Sequence, residues 1–563
     1  MKGRTIALVA IGAFAAALLL RRRSRLRYRV RSGTGRLTMS NSEYTLHGKS
    51  IGVYTPRGGK SYTSDDIGDF LKRFELHETL RLIGAMSHQL FFMNNQPERR
   101  LEGVPISDAV LAYLAMRAIE SSNDYRKLRM TPSDLAKAAD MYWGLPDPIE
   151  DEGQADACLL RFGSSQFDYQ RRLDNLLPRT FAIYRDLWKA VPGTIEINSV
   201  IKGIAGVNIE EILMFTFAFT GQSRKVGGYF RLYTDVDSTD PELIALFERE
   251  RQQAFVNWLT CDYKTFRELS REGLAGLPSP SHEKQRFNPL LKYPILKPDR
   301  NPQPGAPLVY IDPLPRLVHE RVTRGLYFEL SDHFMGHGKR NPFRQSFGYV
   351  FQEYVGELLK DALGGKGVLA ELKYKVGKDE KLTPDWMVID GDRCLLVEVK
   401  QAGLYLNAKM WGDIETVKGD LSKSVGGGVK QLWNFEQAVL SGRHPELAIL
   451  SGVKEFERIV VSYDHLYYSN SILRDKIRER FVEDGVSVPA DYHWHVISID
   501  ELEFVLGMHG PNLLRLLKEK RINKDDDQMD FGDYLSKYYA DRNATNPYLN
   551  RIREAYFGRF EAK

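Results

Sequence analysis

The chain is poor in cysteine: Cys158, Cys261 and Cys394 are the only three in 563 residues, far apart and without a Cys-x-x-Cys pair. That excludes a disulfide framework and a zinc knuckle, and fits a reducing compartment. No internal repeat is present, which excludes solenoid and propeller arrays. A net positive charge is also lacking once the first residues are set aside. The formal net charge is +5, but ten basic residues lie within residues 1–42 and no acid precedes Glu43, so the remainder carries about −5. Bulk charge therefore gives no support for nucleic-acid binding. Support has to come from local clusters such as Lys373 and Lys375 with Lys409, Lys418, Lys423 and Lys430.

An apolar run of ordinary bilayer-spanning length is missing too. Thr5–Leu20 is charge-free but only sixteen residues long, against the ~20 that normally span a bilayer. Arginines beyond Leu20 can snorkel and extend its reach. Seven arginines from 21 to 31, against Lys2 and Arg4 before the run, predict that the bulk of the protein lies on the cytoplasmic side. The Arg cluster follows the run with no small-x-small site, which disfavours a cleaved signal. An organellar presequence fits the acid-free composition but not so apolar a core. Residues 1–38 are read as a leader holding a single-pass membrane anchor, a transmembrane helix over residues 5–20. If Met39 is the true start, the protein is soluble and cytoplasmic.

What is present is ample core material: 43% hydrophobic residues with 28 Phe, 28 Tyr and 7 Trp. The length predicts two or three domains. From Ser64 to about Gly273 the periodicity is mostly helical, as in Ser107–Glu120, Pro132–Tyr142, Asn175–Val191 and Glu210–Phe219. Pro241 fits a first helical position ahead of Glu242–Phe247. Prolines then crowd from Pro278 to Pro315, which places a domain junction there. The expected division is a mainly α-helical domain over 39–300 and a second domain over 301–563.

The most informative segment lies between Leu382 and Gln401. Two apolar runs, Leu382–Ile389 and Arg393–Gln401, flank Asp390-Gly391, which predicts a β-hairpin with a type I′ turn at those two residues. In that register Ile389 faces Asp392, Asp385 lies opposite Leu396, and Glu398 is its diagonal neighbour. Alternation sends Asp385, Glu398 and Lys400 to one side of the sheet and Val397 and Val399 to the other. Cys394–Val397 is apolar on both faces, as in a central strand covered on both sides. Charges at the end of such a strand are costly unless compensated. A divalent cation is the natural compensation, since two carboxylates and a carbonyl are hard oxygen ligands of the kind Mg²⁺ takes. Lys400, on the same face, can orient or deprotonate a bound water, the outline of metal-assisted phosphodiester hydrolysis.

Pro384-Asp385, twelve intervening residues, then Glu398-Val399-Lys400 resembles the signature of the PD-(D/E)xK nuclease superfamily. The resemblance covers roughly residues 340–510. It implies a restriction endonuclease-like α/β core of αβββαβ order with a mixed central sheet, so that the whole chain is α+β and multidomain. It implies Mg²⁺, or Mn²⁺ in its place, held by Asp385, Glu398 and the Val399 carbonyl, with Lys400 on the attacking water. The implied substrate is nucleic acid, DNA before RNA, cut by an endonuclease that commonly pairs as a homodimer. Upstream, Phe347, Val350, Phe351, Tyr354, Val355, Leu358 and Leu359 predict an amphipathic helix ended by Gly364-Gly365, with Val368–Val376 as the first strand. Within that helix Gly348–Val355 is similar to the family's Gly-x-x-Phe-Glu-x-Tyr-Val. Gln352 takes the acidic place and Glu353 points away from the buried stripe, so both are candidates for the helical site residue. Downstream, Val429–Leu440 predicts a helix whose Gln431 resembles the glutamine many such nucleases set beside the site. Ile459–Tyr463 follows as a strand and Asp500–Leu506 as a helix. The alternative is a catalytically degenerate module that binds nucleic acid or serves as a scaffold; Gln352 favours it.

Five other segments have bland readings. Tyr54–Ser61 lacks the first glycine of a phosphate-binding loop and carries Pro56 where a donor is needed, so it reads as a turn. His333 and His337 are spaced i, i+4 but flanked by glycines and read as loop histidines. His493 and His495 share one strand face and read as core or edge histidines. Asp235-Val236-Asp237 lacks the glycine and glutamate of a calcium loop. Lys524–Asp527 reads as a solvated charge run.

Overall fold

The computed structural model describes residues 42–46, 49–53, 56–92, 99–146, 175–234, 241–277, 279–301, 305, 307–336, 341–401, 419–466, 470–489, 491–509, 513–539 and 545–561. They form two compact units, residues 1–177 with 196–333, and 178–195 with 334–563. The division thus falls after His333. The proline-rich stretch, where the junction was expected, lies inside the first unit.

The first unit is helical around a buried centre. Helix Asp108–Ser121 is mostly apolar and buried from Asp108 to Ile119, its buried Asp108 and Arg117 paired with Arg316 and Glu120, as a helix enclosed by others must be. Its neighbours start where their caps dictate. Thr63 with Asp66, Thr131 with Asp134 and Asn208 with Glu211 each form a reciprocal capping box, satisfying main-chain donors a helix start leaves open. The proline-rich stretch closes this unit. Its prolines open 3₁₀ turns at Pro280 and Pro289 and a helix at Pro315. Between them Ile295–Lys297 and Tyr310–Ile311 complete a four-stranded sheet with Tyr229–Phe230 and Thr260–Asp262.

The second unit is α+β and built on a five-stranded mixed sheet. A 22-residue helix, α1 (Pro342–Leu363), ends at Gly364 with φ +62°, the left-handed closure glycine makes cheap. Then come β1 (Val368–Ala370), a separate hairpin of β2 (Lys373–Val376) and β3 (Asp379–Leu382), β4 (Trp386–Asp390) and β5 (Arg393–Lys400). Helix α2 (Gly427–Leu440), entered through a π-helical turn at Ser422–Gly426, precedes β6 (Glu455–Ser462). Helix α3 (Asn470–Glu483), β7 (His495–Ser498) and α4 (Ile499–His509) follow. The sheet order is β7-β6-β5-β4-β1. β1, β4 and β5 pair antiparallel, whereas β6 and β7 run parallel to β5. Cys394, Leu395, Leu396 and Val397 at the centre are fully buried, as their two-sided apolar pattern predicts.

Residues 178–195 belong with this unit through aromatic packing. Trp188 stacks on Phe343 at 5.7 Å and Tyr184 stacks on Trp188 at 5.6 Å. Arg179, fully buried, pairs with Glu503 at 2.6 Å and with Asp500, while Tyr354 donates to Glu503 at 2.6 Å. Removing one partner from such a buried cluster costs about 3–5 kcal/mol.

Several expectations need correction. Val368–Val376 is not one strand: it breaks at Glu371-Leu372, and the chain leaves the main sheet as the β2–β3 hairpin. Thr383 closes that excursion, donating its N–H to Leu372 O while its hydroxyl accepts from Leu372 N, both at 2.9 Å. Pro384, without an N–H, cannot extend the ladder. Lys524–Asp527 is not merely a solvated run but a short helix with Asp526 buried. His333 is the last residue of helix Arg324–His333, whereas His337 and Asp235–Asp237 lie outside the described residues. The transmembrane helix is not borne out: among the described residues no helix is long and apolar enough to cross a membrane. Thr5–Leu20 itself lies outside them.

Candidate active site

The site begins with the β4–β5 turn. Strand pairing runs Asp390↔Arg393, Ile389↔Cys394 and on to Trp386↔Val397, so the two turn residues are Gly391-Asp392, not Asp390-Gly391. Positive φ falls on Gly391 alone, at +64°, the first central position that glycine takes in a type II′ turn. The partner of each residue is therefore two places from the expected one. An even shift keeps every side chain on its expected face. It also improves the juxtaposition: continued one step, the ladder sets Asp385 directly opposite Glu398, not diagonal to it.

The same step taken on the other side finds a residue the sequence reading missed. β1 pairs Ala370↔Trp386, so the next pair is Glu371 with Asp385. Glu371 follows the end of β1 and Asp385 precedes the start of β4, and the two lie close enough to Glu398 for their charges to act on one another. No motif marked Glu371, because its place depends on a strand pairing that is not local.

Glu398 is only 2% exposed. Lys400 donates to its Oε1 at 2.6 Å and to Gln431 Oε1 at 2.7 Å. Gln431 reaches Lys400 because α2 lies close on this face. A side chain on Gly428 would meet Glu398 Cγ at 3.1 Å and Lys400 Cε at 3.2 Å. Arg458 on β6 grips Glu436 on α2 with two bonds of 2.6 Å, fixing the helix on the sheet. A π-helical turn such as Ser422–Gly426 is a feature often found at functional sites.

Asp385 is half-buried and accepts the Val399 N–H at its Oδ2, at 2.6 Å. In an extended strand the N–H and C=O of one residue point the same way. The Val399 carbonyl therefore points toward Asp385, while the Lys400 carbonyl faces the other way and accepts from Tyr463 N at 3.2 Å. Three carboxylates share this spot with one ammonium. Burial, then the charges of Asp385 and Glu371, push Glu398 up to about 8, against the pull of Lys400. Burial also raises Asp385, opposed by the Val399 N–H and Lys400. Lost hydration, then Asp385, raises Glu371. With all three carboxylates ionised the site would carry two uncompensated negative charges, which a divalent cation matches, and without one burial and mutual repulsion favour their protonation. Asp385, Glu398 and the Val399 carbonyl form a hard-oxygen set suited to Mg²⁺.

Asp385, Glu398, Val399, Lys400 and Gln431 are thus brought together, and Gln352 and Glu353 are not. Trp386, which projects from the opposite face to Asp385, donates its indole N–H to the Gln352 carbonyl at 2.8 Å. Its ring lies on Gly356, where an added Cβ would sit 1.9 Å from Cζ2. Helix α1 therefore lies across the sheet from the carboxylate row. Glu353 pairs with Lys360 at 3.1 Å.

A second group draws attention: ligand atoms of His493, His495 and Asp527 lie within 4.8 Å of one another. Its charge balance disfavours a cation. Arg474 binds Asp527 Oδ2 at 2.7 Å and approaches His493 Nε2 at 3.1 Å. Burial, then His493, Lys520, Arg474 and Arg521, press the His495 imidazole toward neutrality. The group is a buried ion-pair and histidine cluster, in keeping with the core reading of these histidines. Compared with known proteins, the chain matches no family model, no curated protein and no solved structure.

Proposed function

We propose that the second unit is a Mg²⁺-dependent nuclease of the PD-(D/E)xK type, hydrolysing phosphodiester bonds of nucleic acid, DNA before RNA. The observation that carries this reading is a buried glutamate, Glu398, facing Asp385 across one strand pair with a lysine two residues on. The order of helix, three antiparallel strands, helix and parallel strand, from α1 to β6, supports it. Gln431 on the second helix, bonded to Lys400, supports it again.

Asp385, Glu398 and the Val399 carbonyl would hold the ion. When bound, it would lower the pKa of a coordinated water and polarise the phosphate. Lys400 Nζ, steadied between Glu398 and Gln431, would orient the attacking water, whose proton would leave to bulk solvent. Asp385 has a further duty: by accepting the Val399 N–H it fixes the strand end whose carbonyl completes the ligand set. Burial of Glu398 keeps that carboxylate from water, so its charge is matched by the ion and Lys400 rather than by solvent.

The test is cleavage of plasmid and single-stranded substrates by the full chain with Mg²⁺, Mn²⁺ or chelator. Asp385→Ala and Lys400→Ala are each expected to lower cleavage at least ~1000-fold, a loss of ~4 kcal/mol of transition-state stabilisation, while both variants stay folded. Mg²⁺-dependent activity that survives both changes sinks the reading. The alternative, a degenerate binding module, draws on Gln352 in the acidic place of α1 and on the lack of an acidic helix side chain at the site among the described residues. Metal-independent binding without cutting would favour it.

A further inference from the structure

The β2–β3 hairpin grows out of the carboxylate row. Its base lies between Glu371 and Pro384-Asp385 and is closed by the paired hydrogen bonds of Leu372 and Thr383. The ladder pairs Lys373↔Leu382, Tyr374↔Lys381, Lys375↔Glu380 and Val376↔Asp379, and Gly377, at φ +64°, turns it. One side is anchored: Tyr374 is buried against Phe435 on α2 at 6.0 Å and against His444 at 5.4 Å. Every other hairpin residue from Leu372 to Leu382 is exposed. Lys373 is tied to Glu380 at 2.7 Å, but Lys375, Lys378 and Lys381 have no ion-pair partner among the described residues. Exposed Val376 and Leu382 add apolar contacts beside them. On α2 and its entry turn, exposed Lys423 and Lys430 continue the basic track, Lys430 directly beside Gln431.

We infer that this hairpin is a duplex-reading arm that enters the major groove of double-stranded DNA and sets the backbone over the carboxylate row. The shape selects the partner. A B-form major groove is ~12 Å wide and ~8.5 Å deep and admits a two-stranded β-ribbon. The major groove of an RNA duplex is too narrow and deep to be entered this way, and a single strand offers no groove. Beyond the anchored Tyr374 the ribbon runs three residue steps to Gly377, about 10 Å at 3.3 Å per residue, enough to reach the floor of the groove. Its lysines would meet phosphates on the groove walls. The scissile position rests on the nuclease reading; the duplex binding does not.

The experiment is fluorescence anisotropy of the full chain, in chelator so that no cutting occurs, on a DNA duplex, the RNA duplex of the same sequence and each DNA strand. Wild type is expected to prefer the DNA duplex. The combined Lys375→Ala, Lys378→Ala and Lys381→Ala variant is expected to bind it at least tenfold more weakly at 100 mM salt. Its log Kd against log salt slope should fall by about 2–3, at ~0.9 per lost phosphate contact. Unchanged affinity and slope in the variant, a wild-type preference for RNA or single strands, or no binding at all overturns the inference. Duplex binding that obeys these expectations without cutting in Mg²⁺ would instead remove the nuclease reading and leave the arm standing.

Discussion

Replacing Glu398 with Gln offers the sharpest check on the site, because it should remove activity and raise stability together. Glu398 is 2% exposed and pushed up to about 8, from 4.5, mainly by burial and then by Asp385. Between those two pH values the folded chain holds a proton that the unfolded chain has released. Metal-free wild type therefore loses stability as pH rises through that window. A shift of that size corresponds to ~5 kcal/mol at its upper end. Gln does not titrate, so the variant escapes the loss, and its amide oxygen still accepts from Lys400, though without the carboxylate's charge. The net gain over wild type should be on the order of 2 kcal/mol at pH 8 and should shrink toward zero near pH 5. Urea unfolding in chelator at several pH values reads it as a shift in midpoint at constant m. Mg²⁺ at a hundred times its dissociation constant should then stabilise wild type by ~2.7 kcal/mol and the variant by little. A difference between the two proteins that stays flat from pH 5 to 8, or equal stabilisation of both by Mg²⁺, would refute the buried-carboxylate argument.

Two further outcomes follow from the same geometry. Glu371→Gln should raise the Mg²⁺ concentration for half-maximal cleavage about three- to tenfold, ~1 kcal/mol of ion binding. An unchanged Mg²⁺ titration would show that the third carboxylate lies outside the ion's field. Gly356→Ala should drive the Trp386 indole off α1, break its 2.8 Å bond to Gln352 and destabilise the fold by about 1–3 kcal/mol. A melting temperature within a degree of wild type would contradict the close contact.

Much of the site was legible locally. Asp385, Glu398 and Lys400 fall on one face by alternation alone, and the two-residue shift in the turn left that intact, because strand periodicity is two. The helices around the site were readable from their apolar spacing, as at Phe347–Leu359, and the central strand from Cys394–Val397. The helical carboxylate was not settled this way. Gln352 sits at the acidic place of a pattern and Glu353 next to it, yet α1 packs on the Trp386 side of the sheet, and a one-dimensional pattern does not say which face a helix covers.

The sequence by itself determined which residues carry charge, which face of a strand they share, and that charged residues lie at the end of an apolar strand. Those facts depend on periods of a few residues. Only the tertiary structure decided that Glu371 joins the row, that Gly428 lets Gln431 reach Lys400, and that Lys524–Asp527 folds into a helix with a buried acid. Each of these rests on pairing between segments far apart in the chain, where packing and strand register, not local preference, choose the neighbour.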